Sequence, residues 1–312
     1  MQHLKQPTCL AIVAATLLSV AAAHAQEGQL APGPFAPGVV TTISPERLYG
    51  ETVSTHDVVE LRTPDLKHSP HYTPESRTLY AMAGGTKFHR KIWALEFNFK
   101  PLRMLQVDIP QPTGHMQRKL VWYLVYNVRN LGEELVPAEK EDGTFEVRTT
   151  AEELQFIPHL VLESHEFGKV YLDRIIPAAL GPIQRREAPH VPLLTSVEMA
   201  ETPIRVSAGR DSRPVWGVAM WEDVDPRIDF LSIYVDGLTN AYRAEDDPQV
   251  KHQRGDPPGK GRRIKRKTLQ LNFWRPGDTV DESEEEIRFS TPAGREAIYG
   301  VKPGVDYTWV YR

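Results

Sequence analysis

A mainly β fold with two antiparallel β-sandwich modules is predicted by three features of the sequence. Apolar and polar residues alternate over several segments, short apolar runs are separated by turn signals, and helical periodicity is rare. Gly and Pro number 21 and 26, a content that favours turn-rich β structure but falls short of a low-complexity polymer. A chain of 312 residues is long enough for two domains.

The first half contains the clearest strand patterns. Apolar residues occupy alternate positions over 93–99 and again over 105–109, which predicts half-buried strands. Residues 120–128 are apolar on both faces and rich in aromatic and β-branched side chains. This segment is therefore predicted to be a central strand.

The second half shows the same pattern of short runs and turns without repeating the sequence. The predicted strands are 204–206, 215–221, 230–235, 269–274 and 307–311. The sequence permits a helix only over two short segments, 150–154 and 170–180. Prolines and charges over 182–192 suggest a boundary, so the predicted modules are 45–185 and 186–312.

The start of the chain has the parts of a secretory signal peptide. Lys5 precedes an apolar run over 10–23, which closes on the small residues of Ala23-His24-Ala25, so residues 1–25 are the predicted signal peptide. A transmembrane anchor is the alternative, but spanning needs roughly 20 apolar residues. Residues 26–44 are poor in charge and broken by Gly and Pro, which predicts a flexible leader.

Export also accounts for the single cysteine. Cys9 lies inside the predicted signal peptide, so its removal leaves a chain without disulfides. Export without disulfides fits a bacterial envelope, and we expect a periplasmic or extracellular location. No other stretch reaches 18 consecutive apolar residues, so no membrane span is expected after cleavage.

The overall charge is close to balance, with Lys+Arg 37 against Asp+Glu 41. A nucleic-acid partner is not expected, because that interpretation needs a strong basic excess. Basic residues nevertheless cluster before position 268, and acidic residues cluster over 278–286. An intervening strand over 268–275 would separate them by ~26 Å, about three Debye lengths at physiological salt.

The basic cluster is therefore a candidate contact for a polyanion such as an acidic polysaccharide. It lies in a predicted loop, 251–267, and the alternative is an ordinary solvated loop without a ligand. The predicted contacts are Lys260, Arg262, Arg263, Lys265, Arg266 and Lys267.

A second candidate is the acidic segment 221–229. Calcium prefers several oxygen ligands from a flexible loop, so this segment is a candidate calcium site, although it lacks the spacing of a helix-loop-helix calcium loop. The alternative is an acidic turn that joins two strands. The predicted ligands are Glu222, Asp223, Asp225 and Asp229.

Familiar catalytic motifs are incomplete. His165-Glu166 begins like a zinc-protease helix, but Lys169 stands where the second histidine is required. The glycine-rich segment 255–261 lacks the spacing and the Ser or Thr of a phosphate loop. His159 and His165 share one strand face but lie roughly 20 Å apart, too far to bind one metal ion.

Glu163 beside His165 would supply half of a metal site, with ordinary hydrogen-bonded side chains as the alternative. A secreted hydrolase acting on glycans or esters is the alternative function, with carboxylates such as Glu163, Glu166 or Asp223 as an acid/base pair. Most of the six tryptophans lie in predicted strands and are expected in the core.

Two segments resemble known extracellular modules. Residues 122–134 form a long apolar strand that ends in Asn130-Leu131-Gly132-Glu133, which resembles bacterial immunoglobulin-like modules. Residues 233–242 are similar to a fibronectin-type strand entering its turn. The resemblance implies immunoglobulin-like sandwiches and a role in adhesion or binding, and it assigns no catalytic residues. As a whole, the chain resembles exported bacterial proteins of unknown function. The chain lacks a cysteine pair, so an antibody-type domain is excluded.

These observations predict an exported, non-catalytic binding or structural protein of the bacterial cell envelope. The contact would be the basic loop or the acidic turn, and the partner an envelope polysaccharide or another envelope protein. Calcium is the one cofactor that the sequence suggests.

Overall fold

The computed structural model describes residues 40–55, 87–188, 190–207, 214–250, 260–276 and 287–312. They belong to one compact unit, Val40–Arg312. The predicted signal peptide, most of the predicted leader and the acidic cluster over 278–286 lie outside the described residues.

Strands dominate the described residues, and two helices and two short 3-10 turns accompany them. The strands are β1 (Thr41–Ile43), β2 (Val53–Ser54), β3 (Phe88–His89), β4 (Glu96–Phe99), β5 (Arg103–Pro110), β6 (Met116–Arg129), β7 (Glu134–Glu139), β8 (Phe145–Thr150), β9 (Leu154–Gln155), β10 (His159–Ser164), β11 (Val170–Leu172), β12 (Pro203–Ile204), β13 (Val215–Glu222), β14 (Phe230–Asp236), β15 (Tyr242–Asp246), β16 (Arg262–Trp274), β17 (Arg288–Phe289) and β18 (Tyr307–Tyr311). The helices are α1 (Pro177–Glu187) and α2 (Ser196–Glu201), and the turns are Tyr49–Thr52 and Glu296–Tyr299.

Two larger antiparallel sheets form the framework. The five-stranded sheet has the order β1-β4-β6-β13, with β5 also paired to β6. The seven-stranded sheet has the order β11-β10-β14-β16-β15, with β17 and β18 also paired to β16. The predicted mainly β class with antiparallel sheets is confirmed.

Strand β6 is the central strand that its sequence predicts. Residues 121–128 are all buried, because one face contacts the main core and the other contacts helix α1. Apolar side chains at nearly every position suit both contacts.

One hydrophobic core joins the two sheets. Phe97, Trp122 and Tyr126 of the five-stranded sheet belong to the same buried cluster as Ile233 and Leu271 of the seven-stranded sheet. Successive strand residues point to opposite faces. The residues that alternate with Ile233 and Leu271 along their strands therefore face away from this core, and they form the outer face of the seven-stranded sheet.

Helix α1 covers the opposite side of the five-stranded sheet. Its residues Ala179 and Ile183 belong to the same buried cluster as Tyr123 of β6, and its last residue, Glu187, lies 3.3 Å from the buried ammonium of Lys100. Desolvation lowers the pKa of Lys100, and the nearby Glu187 carboxylate opposes that shift. The helix is thus held by apolar packing and by a buried ion pair.

The predicted division between 45–185 and 186–312 does not coincide with a division between the sheets. Strand β13 pairs with β6 from Val215↔Val128 to Glu222↔Val121, and β14 pairs with β10 in the other sheet. Part of the proline-containing segment expected at the boundary belongs to helix α1 instead, which has Pro177 at its start, where a missing N–H costs nothing.

Two smaller expectations also differ from the structure. Residues Thr41–Ile43 of the predicted leader form β1 and pair with β4, so the leader ends earlier than expected. The segment 170–180 contains β11 before α1 begins at Pro177. Among the described residues, no helix is long and apolar enough to cross a membrane.

Candidate functional site

The outer face of the seven-stranded sheet presents polar side chains in register. Glu163 lies opposite Ser232, which lies opposite Asn272. In the next row, Tyr234 lies opposite Gln270. Directly opposed residues of antiparallel strands share a face, so these side chains lie together on one face of the sheet, where Ser232, Asn272 and Gln270 are buried.

A closed hydrogen-bond network occupies the middle of this face. His165 Nε2 lies 2.8 Å from Ser232 Oγ, and Ser232 donates to Asn272 Oδ1 at 2.8 Å. Gln270 Nε2 donates to the same Asn272 oxygen at 2.9 Å. Asn272 Nδ2 in turn donates to the carbonyl of Val305 at 3.4 Å, which orients the amide.

The network argues against a serine nucleophile. The single hydroxyl proton of Ser232 is donated to Asn272, so Ser232 accepts its bond from His165, whose Nε2 must carry the proton. A general base needs that nitrogen free. Ser232 and Asn272 are also fully buried, so these hydrogen bonds satisfy polar groups that have no contact with solvent.

Tyr299 packs against this network. Its ring lies 5.0 Å from the His165 ring in an edge-to-face arrangement, and its hydroxyl donates to the Phe273 carbonyl at 2.8 Å. Burial raises the pKa of Tyr299, and Glu166 adds to that effect. Burial lowers the pKa of His165, and Glu163 opposes the shift.

The lowered His165 pKa predicts a pH-dependent stability. The unfolded histidine, with a pKa near 6.5, binds a proton that the folded one resists, so stability decreases as the pH falls below this value. We expect the melting temperature to fall between pH 7 and pH 5.5 by less in His165→Gln than in the natural protein. Equal falls in both proteins, measured by circular dichroism, would contradict this prediction.

Charged and aromatic groups continue the outer face beyond the network. The Arg312 guanidinium lies 3.8 Å from the Tyr234 ring centroid and 3.2 Å from the Glu163 carboxylate. Burial and the nearby Glu163 raise the pKa of Tyr234. Glu163 was a predicted acid/base residue, and the structure places it in an ion pair with Arg312.

The predicted basic loop, 251–267, is a strand over 262–267, and its residues 251–259 lie outside the described part of the chain. Strand β16 pairs there with β15, where Arg262 lies opposite Asp246 and Lys265 lies opposite Arg243. Lys260 lies in the turn that precedes the strand. The expectation of a loop is wrong here, because charged residues on both faces conceal the period of two that identifies a strand.

Carboxylates lie close to these basic side chains. Their ion pairs are Arg262 with Asp246 at 2.9 Å, Arg263 with Asp247 at 4.0 Å, Lys265 with Glu245 at 2.8 Å and Arg266 with Asp236 at 3.3 Å. The acidic cluster visible in the sequence, 278–286, follows the basic residues, whereas these carboxylates precede them. Part of the basic charge is therefore compensated.

Lys267 differs from the other five predicted contacts. Its side chain is 1% exposed and lies 2.8 Å from Glu51 and 3.1 Å from Glu46. It shares the face of Leu269 and Leu271, which belong to the core. The prediction of a surface contact is wrong for Lys267, because the strand alternation turns it inward.

Lysine and arginine side chains contact the carboxylates of the acidic segment 221–229. Glu222 and Asp223 lie 3.4 Å and 2.9 Å from the ammonium of Lys119. Glu222 also forms an ion pair with Arg174. Asp223 has a φ of 57°, the left-handed conformation that favours a tight turn, which matches the alternative interpretation of a turn between β13 and β14.

Asp225 forms ion pairs with two cationic side chains. Arg227 and Lys169 lie 2.8 Å and 2.9 Å from its carboxylate, and hydrogen bonds from Arg227 and then Lys169 hold the pKa of Asp225 well below its usual range. The backbone N–H of Asp229 donates to Glu166 at 2.7 Å. Within the described ranges, no group of three or more His, Cys, Asp or Glu residues is arranged to hold a metal ion.

The tryptophans divide between the core and its margins. Trp122 and Trp221 are fully buried and lie opposite each other in β6 and β13. Trp274 lies on the outer face opposite Phe230, with the Arg288 guanidinium 5.1 Å from its ring. Trp274 is half-buried, so it extends the aromatic and cationic part of this face.

Two regions therefore remain as candidates, the polar outer face of the seven-stranded sheet and the basic arm, which comprises residues 242–247 and 260–266. Arg312 and Tyr234 were missed by the sequence interpretation, because their contact joins distant strands. No protein-family model, curated protein or solved structure matches the chain.

Proposed function

We propose that this protein is exported and acts as a non-catalytic binding or structural protein of the bacterial cell envelope, and that its basic arm contacts an acidic polysaccharide. The basic arm is defined as residues 242–247 and 260–266. It carries six cationic side chains against three carboxylates of its own, and Asp236, outside the arm, pairs with Arg266. This surplus is the observation that supports the proposal.

The exposure of the arginines supports the same conclusion. The side chains of Arg263 and Arg266 are 78% and 70% exposed, although each has a carboxylate nearby. Guanidinium groups bind carboxylate and sulfate groups through paired N–H donors. Arg263 and Arg266 lie on opposite faces of β16, so both faces of the arm offer a cation to a long anionic chain.

The residues considered for a hydrolase are engaged elsewhere. Glu163 pairs with Arg312, Asp223 pairs with Lys119, and Glu166 accepts the N–H of Asp229. The enclosed Ser232 and His165 pair does not supply a nucleophile either. The hydrolase stays an alternative hypothesis that these contacts do not favour.

The proposal is tested by retention of the purified protein on heparin, which serves as the polyanionic probe. The double substitution Arg263→Glu with Arg266→Glu changes the charge of the basic arm from +3 to −1. We expect retention to be lost, since the attraction changes sign. Increasing salt should release the natural protein.

The matched control is Arg148→Glu with Arg205→Glu. These side chains are 65% and 85% exposed and lie outside the arm, and the change in net charge is the same. The control should be retained close to the natural level. Equal loss in both double variants, or no retention of the natural protein, would rule out the basic arm as the contact.

A further inference from the structure

Strand β11 forms one edge of the seven-stranded sheet. In the described part of the chain it pairs with β10 alone. The N–H of Ser164 donates to the Lys169 carbonyl, and the N–H of Asp173 donates to the Leu160 carbonyl. Residues 169, 171 and 173 therefore turn their backbone groups towards β10, and residues 170 and 172 turn theirs away from it.

Exposed apolar side chains accompany this open edge. Val170 and Leu172 are 53% and 58% exposed, and Phe167 and Ile175 are 40% and 47% exposed. Val170 lies opposite Glu163 and Leu172 lies opposite Val161, so both point to the outer face. An edge strand with outward backbone groups and exposed aliphatic side chains is a template for pairing with another strand.

The segment 167–175 is self-complementary about Tyr171. A two-fold axis at Tyr171 would place Val170 opposite Leu172 of a second copy, and Leu172 opposite its Val170. The apolar Phe167 and Ile175 occupy equivalent positions further out, whereas the Lys169 and Asp173 side chains keep contacts within their own chain, with Asp225 and Ser196 respectively.

We propose that two copies of this chain associate by antiparallel pairing of their β11 strands across this axis. Val170 and Leu172 both direct their N–H and C=O groups outward, which is the requirement for a hydrogen-bonded pair of opposed residues. The contact is isologous, and such contacts close a dimer without further growth. Because β11 has three residues, the dimer forms weakly and depends on protein concentration.

Sedimentation velocity of the purified protein over a range of concentrations tests the proposal. The natural protein should shift towards a dimer as its concentration rises. Val170→Lys and Leu172→Glu should each raise the dissociation constant at least about tenfold, because each places two charges against apolar neighbours. Met116→Lys is the control, since Met116 is 62% exposed on β6 of the other sheet, and should leave association unchanged.

Mixing the two variants tests the register itself. In a mixed dimer, the lysine introduced at position 170 of one copy lies opposite the glutamate introduced at position 172 of the other, and the second pair stays leucine opposite valine. We expect the mixture to regain the dimer. Three results would each overturn the proposal: a natural protein that stays monomeric, variants that associate normally, or a mixture that stays monomeric. The first of these is also the result expected if the edge binds a different protein.

Discussion

Replacing Lys267 by Met should lower the free energy of unfolding by about 3–5 kcal/mol, the usual cost of removing one partner from a buried ion pair. Lys267 is 1% exposed and Glu51 is 7% exposed, with 2.8 Å between their charged groups. The variant leaves the Glu51 carboxylate buried, with the Tyr311 hydroxyl as a remaining donor. Urea denaturation, monitored by tryptophan fluorescence, measures the loss of unfolding free energy.

The double variant Lys267→Met with Glu51→Gln distinguishes an uncompensated charge from lost packing. The amide introduced by Glu51→Gln carries no charge and retains an acceptor for the Leu48 N–H, which donates to Glu51 at 3.0 Å. We expect the double variant to recover much of the stability that the single variant loses. A single variant that loses less than about 1 kcal/mol would show that this pair behaves as an exposed one.

Gly237→Ala should lower the free energy of unfolding by about 3 kcal/mol, near the upper end of ordinary single substitutions. Gly237 has a φ of +94°, and a Cβ there would lie 2.2 Å from the Ile157 carbonyl oxygen. The left-handed conformation alone costs roughly 1–2 kcal/mol for a residue with a Cβ. The remaining loss comes from displacing the backbone that leads into β10.

Gly143→Ala is the matched control for this prediction. Gly143 has a φ of +77°, and a Cβ there would have no atom within 4 Å. It therefore carries the conformational cost without the clash, and its loss should not exceed roughly 1–2 kcal/mol. Equal losses in the two variants, measured by urea denaturation, would show that the contact with Ile157 is readily relieved.

The strands were largely predictable because their signals are local. Alternation over 93–99 and the doubly apolar run over 120–128 correspond to strands β4 and β6. The turn at Asn130 was also predictable, because Asn followed two residues later by Gly is a local turn signal. In the structure the Asn130 side chain accepts the Gly132 N–H at 2.9 Å. The pairing of β6 with β13 could not be predicted from the sequence, because it joins residues about 90 positions apart.

The candidate sites were less predictable than the strands. The basic cluster was visible as composition, but its carboxylate neighbours on β15 depend on strand register. The acidic segment was visible as four carboxylates, but Lys119 and Lys169 reach it from other strands and loops. The contact of Arg312 with Tyr234 has no sequence signal, because neither residue type marks its partner.

The sequence by itself determined the mainly β class, the positions of most strands and the two opposed charge clusters, because backbone alternation and composition are properties of neighbouring residues. The tertiary structure alone decided that strands from both halves share each of the two larger sheets and that Lys267 is buried. It also decided that Ser232 and His165 meet in a closed network. These features depend on register between distant strands, where a shift of one residue exchanges the buried and exposed faces.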